Sequence, residues 1–220
     1  MTGVMTKDLC QNLLIRKNRL SLILNFSVCV LSMLLMKNVY GLVLPAFVYI
    51  PFIISPSLLQ MSSERDRISH YDKSQLAMPV TKREIIFAKY SLGVLYCLFN
   101  TAVLFVGIFI HTYIYHSITI TQGLYMGGAC LLLSLLSVAI NYLSYIVLGD
   151  KGIFVTVGII SIMLISYFWN FSFLNFDRML ETLLNLNDYT LFSLGGLGVI
   201  AALFLSYVCA TVYYSKKEIS

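Results

Sequence analysis

The chain has 220 residues, of which 59% are hydrophobic and only 11% charged, with a mean hydropathy of +0.84 and a formal net charge of +5. Soluble domains carry about a quarter of their residues as charges, so this composition excludes an ordinary soluble fold and predicts an all-α integral membrane protein. Basic residues clustered beside apolar runs encode membrane orientation, so the excess of Lys and Arg does not point to nucleic acid, and no nucleic-acid partner is expected.

A helix crossing ~30 Å of hydrocarbon needs about 20 apolar residues. Residues 1–19 are polar and carry Lys7, Arg16, Lys17 and Arg19. Within them, 6–19 place Leu9, Leu13 and the following Leu20 on one stripe with Ile15 off it, which predicts an N-terminal interfacial helix under the headgroups. No small-x-small cleavage site precedes Lys37-Asn38, so the first apolar run reads as a retained span rather than a signal peptide. Six runs are long enough to cross: 20–36, 39–61, 90–110, 124–148, 153–173 and 191–214. The second contains Pro45, Pro51 and Pro56, which predicts a bent or broken span whose freed carbonyls are covered by neighbouring helices. Between the second and third lies a polar connection, 62–89, and between the fourth and fifth only Gly149-Asp-Lys-Gly152. The loop 174–190 has Phe176, Met179, Leu180, Leu183 and Leu184 at helical spacing among charged residues, which predicts a short external helix. No internal repeat is evident. Thirteen Lys and Arg residues fall on one side of this topology, and only Lys37 and Arg178 on the other. That asymmetry predicts six transmembrane helices in a single domain, 1–220, with both termini in the cytoplasm.

The stretch Pro79-Val-Thr-Lys-Arg-Glu-Ile85 has the pattern of a helix N-terminus. Thr81 stands at the N-cap and Glu84 at N3, the two positions of a capping box, with Val80 and Ile85 placed as a hydrophobic staple. Pro79 keeps the preceding residue extended, so the third span starts as a helix about nine residues before Tyr90. Lys82 and Arg83 oppose the helix dipole in that first turn. They either serve orientation alone or join Glu64-Arg-Asp-Arg67 and residues 68–77 in a docking surface for a partner. Connections this long are usually functional or disordered.

Residues 76–90, LAMPVTKREIIFAKY, resemble the L-P-V-[ST]-[KR]-x-I segment between the second and third spans of small bacterial type 2 ABC transporter permeases. Met78 departs from the leucine usual before the proline. Within that family the chain looks most like the permeases of the exporter for phenol-soluble modulins, which are amphipathic peptides. The resemblance implies a plasma-membrane permease that pairs with a second copy or a homologous permease and moves hydrophobic or amphipathic cargo outward. It further implies ABC ATPase subunits as partners, which bind the ATP and Mg, and no cofactor in this chain. Residues 68–77 would then be the coupling helix. The implied ATPase-binding positions are Glu64, Arg65, Arg67, Ile68, His70, Tyr71, Lys73 and Leu76, with Pro79, Thr81, Lys82, Arg83 and Glu84 following.

No G-x-x-x-x-G-K-[ST] loop occurs, so the chain is not expected to hydrolyse ATP itself. All six runs lack Asp, Glu, Lys, Arg and His, whereas ion-coupled transporters place such groups at membrane depth. Asn25, Asn100, Asn141 and Asn170 read as interhelical hydrogen-bond glue. His70, His111 and His116 fall in connections and read as solvated or interfacial, which argues against an intramembrane protease. Cys10, Cys29, Cys97, Cys130 and Cys209 form no metal or redox pattern. The aromatic groups 167–173 and Tyr207, Tyr213 and Tyr214 read as interface belts, and Gly123-x-x-x-Gly127 as a site of close helix packing. A non-transporting membrane scaffold or immunity subunit is the alternative reading.

Overall fold

A computed structural model describes residues 2–68, 81–168 and 189–216, and all regular structure among them is helical. Helix α1 (Thr2–Leu14) stops at Ile15, whose extended backbone (φ −74°, ψ 120°) leads into α2 (Arg16–Leu35) without a side-chain cap. The interfacial helix expected over 6–19 is therefore displaced, and Arg16, Lys17 and Arg19 belong to the first turns of α2. The Leu9 and Leu13 stripe faces outward, as an interfacial helix requires, while Val4, Asp8 and Asn12, spaced four apart, are buried against the bundle.

The second apolar run folds as α3 (Tyr40–Leu44), a π-helical segment Pro45–Ile54 and α4 (Ser55–Ile68), without interruption. Pro51 lacks an N–H and its ring crowds the carbonyl four residues back. The wider i→i+5 turn absorbs that clash, so the expected break does not occur. Carbonyls beside the prolines are met by hydroxyls of the same run: Ser55 Oγ donates to Ile50 O (2.7 Å) and Ser57 Oγ to Ile54 O (2.6 Å). The run is the central helix, with 78% of its apolar window buried against 39% or less in the other candidate spans. Leu42, Ala46, Phe47, Ile50 and Ile54 meet Met33, Leu104, Ile108 and Met126 there.

Helix α5 (Lys82–Tyr113) and α6 (Ile120–Leu148) follow, then a 3-10 turn Gly149–Gly152, α7 (Ile153–Phe168) and α8 (Tyr189–Lys216). Gly149 sits at φ +59°, a left-handed conformation that favours glycine. Among the described residues five helices are long and apolar enough to cross a membrane: Arg16–Leu35, Tyr40–Glu64, Lys82–Tyr113, Ile120–Leu148 and Phe192–Lys216. The run expected over 153–173 is described as α7 up to Phe168, and its remainder lies outside the described residues, as do Asn170 and the expected external helix up to 188. Residues 189 and 190 begin α8.

The helices alternate between two ends. At one, Lys82 Nζ donates to Ser215 O (3.3 Å) and Tyr213 Oη to Val147 O (3.2 Å). Lys7, Lys17, Arg83, Lys89 and Lys216 gather there, and we call it the basic end. At the other, the Tyr125 and Phe192 rings pack at a tilt of 39° with centroids 5.5 Å apart. His111 also lies there, and it corrects the sequence reading. It belongs to α5, is fully buried, and both ring nitrogens are bonded, Nε2 to Met33 O and Nδ1 to Ser117 Oγ, each at 2.8 Å.

Asn141 does join helices, accepting from Thr156 Oγ1 of α7 while donating to Ser137 O (2.9 Å). Asn100 does not: among the described residues its buried amide meets no partner on another helix, and the neighbouring Tyr96 lies on α5 itself. Gly123 and Gly127 admit Ile108 and Phe105 of α5, and Gly128 admits Phe192 of α8, so the close packing expected at the start of α6 is present. Cys29, Cys97 and Cys130 are buried, whereas Cys10 and Cys209 are exposed.

Gly93 makes a close interior contact: a Cβ there would stand 2.5 Å from the hydroxyl of Tyr142, which is fully buried. Replacing glycine in a helix interior recovers at most about 1 kcal/mol of propensity, and overpacking costs about 1–3 kcal/mol. Gly93→Val is therefore expected to lower stability by about 2 kcal/mol, read as a drop in the Tm of the detergent-solubilised protein. A Tm equal to or above that of the wild type would mean that Tyr142 moves.

Candidate functional site

The long polar connection is bounded by two helices that run into it, α4 to Ile68 and α5 from Lys82. The capping box expected at Thr81 is present. Glu84 N donates to Thr81 Oγ1 (3.3 Å), and Thr81 N donates in return to Glu84 Oε2 (2.8 Å). Thr81 Oγ1 also donates to Glu84 Oε2 (2.9 Å). Two of the four backbone donors that a helix start leaves orphaned are thereby satisfied or shielded. Ile85 is 2% exposed and anchors the first turn, while its expected staple partner Val80 lies outside the described residues. From this cap α5 runs for 32 residues to Tyr113. At 1.5 Å per residue that is about 48 Å, longer than the ~30 Å hydrocarbon core, so α5 extends beyond the bilayer.

A second feature links α5 to the rest of the basic end. Asp66 of α4 is 2% exposed and accepts from Lys89 Nζ of α5 at 3.0 Å and from Lys7 Nζ of α1. Lys7 also stands 3.1 Å from Asp8 Oδ1, so two cations and two carboxylates balance. Buried charges persist where they are paired in this way. Asn12 Nδ2 adds a bond to Asp8 O (2.9 Å) and reaches Leu58 O at 3.5 Å. The result is one polar joint through which α1, α4 and α5 meet beside the connection.

The other expected site residues divide. Lys82 reaches α8 through Ser215 O, and Arg83 lines a groove against the same helix. Glu64 faces Lys17 Nζ at 3.5 Å with both side chains largely exposed, an arrangement of little energetic weight. Arg65, Arg67 and Ile68 belong to the last turns of α4. His70, Tyr71, Lys73, Leu76 and Pro79, and with them the expected coupling helix from 69 onward, lie outside the described residues.

Sequence reasoning placed Asp66 in a docking surface and did not single out Lys7, Asp8 or Lys89. A periodic signal was available, because Leu59, Ser62 and Asp66 are buried at helical spacing on α4, and Lys89 falls between the buried Ala88 and Tyr90. Tyr207 and Tyr213 also do more than line an interface. Tyr207 packs edge-on against Phe87 and Tyr90, and Tyr90 Oη is 2.6 Å from Ser206 Oγ, which in turn donates to Ala139 O (2.6 Å).

A family model described as ABC-2 family transporter protein matches residues 5–215. No curated protein and no solved structure matches the chain.

Proposed function

Because the chain belongs to the ABC-2 family of transporter proteins, whose membrane proteins work with ABC ATPase partners, we propose that it is the permease subunit of an ATP-driven exporter. In this reading it has six spans with 153–173 as the fifth, both termini are cytoplasmic, and the basic end faces the ATPases. The chain itself has no ATPase site; ATP and Mg belong to its partners. A second permease, identical or homologous, completes the pathway. The cargo is hydrophobic or amphipathic, with amphipathic peptides such as phenol-soluble modulins as the leading class, since the spans carry no ionisable group that would select a charged solute.

The observation that carries this reading is the capped α5, which is anchored at its first turn and continues as one helix to the far end of the bundle. ATP-driven closure of the ATPases would push residues 68–77. The cap at Thr81 would transmit that displacement into α5 without unravelling its first turn, and the Lys7–Asp66–Lys89 joint would make α1 and α4 move with it.

Exchanging an N-cap threonine for alanine costs about 1 kcal/mol locally, enough to fray a first turn and too little to unfold the bundle. The double variant Thr81→Ala, Glu84→Ala is therefore expected to insert, to bind its ATPase, and to lose most cargo-stimulated ATP hydrolysis in proteoliposomes. Normal stimulation and transport by a stably assembled double variant would overturn the transmission mechanism. Failure of the wild-type protein to recover any ATPase on purification with its genomic neighbours would favour a scaffold.

A further inference from the structure

At the basic end a groove of about 290 Å³ opens between the first turn of α5 and the last turns of α8, lined by Arg83, Tyr207, Val208, Thr211, Val212 and Ser215. Its polar groups have an uneven chemistry. Arg83 is exposed, and its guanidinium makes no hydrogen bond or ion pair among the described residues. Five N–H donors in a planar fork suit a phosphate. The two hydroxyls offer the opposite. Thr211 Oγ1 donates to Val208 O and Ser215 Oγ to Val212 O, each at 2.8 Å, so their protons are committed and their oxygens remain as acceptors.

One wall is rigid, because Tyr207 is held edge-on by Phe87 (6.1 Å) and Tyr90 (5.8 Å). The opposite side is apolar and open: Val208 is 37% and Val212 48% exposed. Above them on α8, at successive turns, Phe204, Ile200 and Leu197 continue an exposed apolar lane. Lys82, bonded to Ser215 O, adds a second cation beside the groove.

A ligand that matches this order needs an anion for Arg83, hydroxyl donors for Thr211 and Ser215, and hydrocarbon for Val208 and Val212. We propose that the groove binds an anionic phospholipid with a hydroxyl-bearing headgroup, of the phosphatidylglycerol type. The phosphate sits on Arg83, the headgroup hydroxyls donate to Thr211 and Ser215, and an acyl chain lies along the valines of α8. The assignment gives Arg83 a lipid phosphate in place of the ATPase contact that the family resemblance implied for it, and it holds for any cargo.

Native mass spectrometry of the purified full chain, in micelles doped with phosphatidylglycerol, phosphatidylserine or phosphatidylcholine, tests it. The first lipid adduct is expected to be phosphatidylglycerol. A cationic side chain near a membrane surface contributes roughly fivefold in binding an anionic lipid, so Arg83→Ala is expected to weaken that adduct about fivefold while Arg83→Lys weakens it less. Val212→Trp, which fills the groove from its exposed side, is expected to remove the adduct with no change in Tm. Unaltered phosphatidylglycerol binding by both Arg83→Ala and Val212→Trp overturns the site. Equal affinity for phosphatidylserine overturns the headgroup assignment, and displacement of the lipid by millimolar glycerol phosphate shows a soluble-anion site instead.

Discussion

Asp66→Ala is expected to destabilise the protein by about 3 kcal/mol and to release α1 from the bundle. Removing one member of a buried ionic group costs about 3–5 kcal/mol, because the remaining charges stay desolvated without a partner. The lower end applies here, since the Lys7 and Lys89 side chains keep 22% and 12% of their exposure and can turn partly toward water. Two measurements read the result. The Tm of the detergent-solubilised protein should fall, and trypsin should cleave at Lys7 faster than in the wild type, because that side chain is held by Asp66 on α4. A compensating variant separates charge from packing. Asp66→Leu combined with Lys7→Met and Lys89→Met replaces the ionic group by apolar side chains of similar length and should recover much of the Tm, as such exchanges often do. If the apolar triple variant is stable yet transport-deficient, the ions serve the coupled movement of α1, α4 and α5. Unchanged Tm and unchanged cleavage in Asp66→Ala would show that α1 is held by Val4 and Asn12 alone.

What the sequence made legible was local. The cap at Thr81 could be read because its partner Glu84 lies three residues away, and the structure places both side chains as the pattern requires. The same spacing, Thr119 to Gln122, makes a second capping box that starts α6 at Ile120, four residues before the apolar run expected from 124. It passed unread because the span was counted from its apolar residues, which mark the hydrocarbon and not the helix. The prolines of the second run were equally visible. Their outcome depended on how tightly the surrounding core holds the strand of chain: a central, enclosed helix keeps its continuity by widening to a π turn. The polar joint was not legible, because Asp66 and Lys7 are 59 residues apart and only the meeting of α1 with α4 brings them together. Position in a presumed loop gave the wrong setting for His111, since burial there depends on the end of another helix.

That other helix supplies the last expected result. An α-helix leaves its final four carbonyls without intrahelical partners. At the end of α2, Ser32 O accepts from Met36 N (3.2 Å), Leu34 O from Tyr115 Oη (3.0 Å) and Met33 O from His111 Nε2 (2.8 Å). The last turn of α5 and the segment just after it thus cap α2 with one side chain each. A carbonyl only accepts, so Nε2 carries the hydrogen, and in the neutral ring Nδ1 then accepts from Ser117 Oγ. His111→Ala both opens a cavity at a fully buried position and strands the Met33 carbonyl, and about 3 kcal/mol is the expected loss, seen as a lower Tm. Two further variants divide that loss. His111→Gln keeps an N–H donor near the Nε2 position and should restore most of the stability, whereas His111→Phe keeps the ring volume and leaves the carbonyl unpaired, at about 1–3 kcal/mol. Equal Tm values for the Gln and Phe variants would mean that ring packing, and not the hydrogen bond, holds α2 against α5.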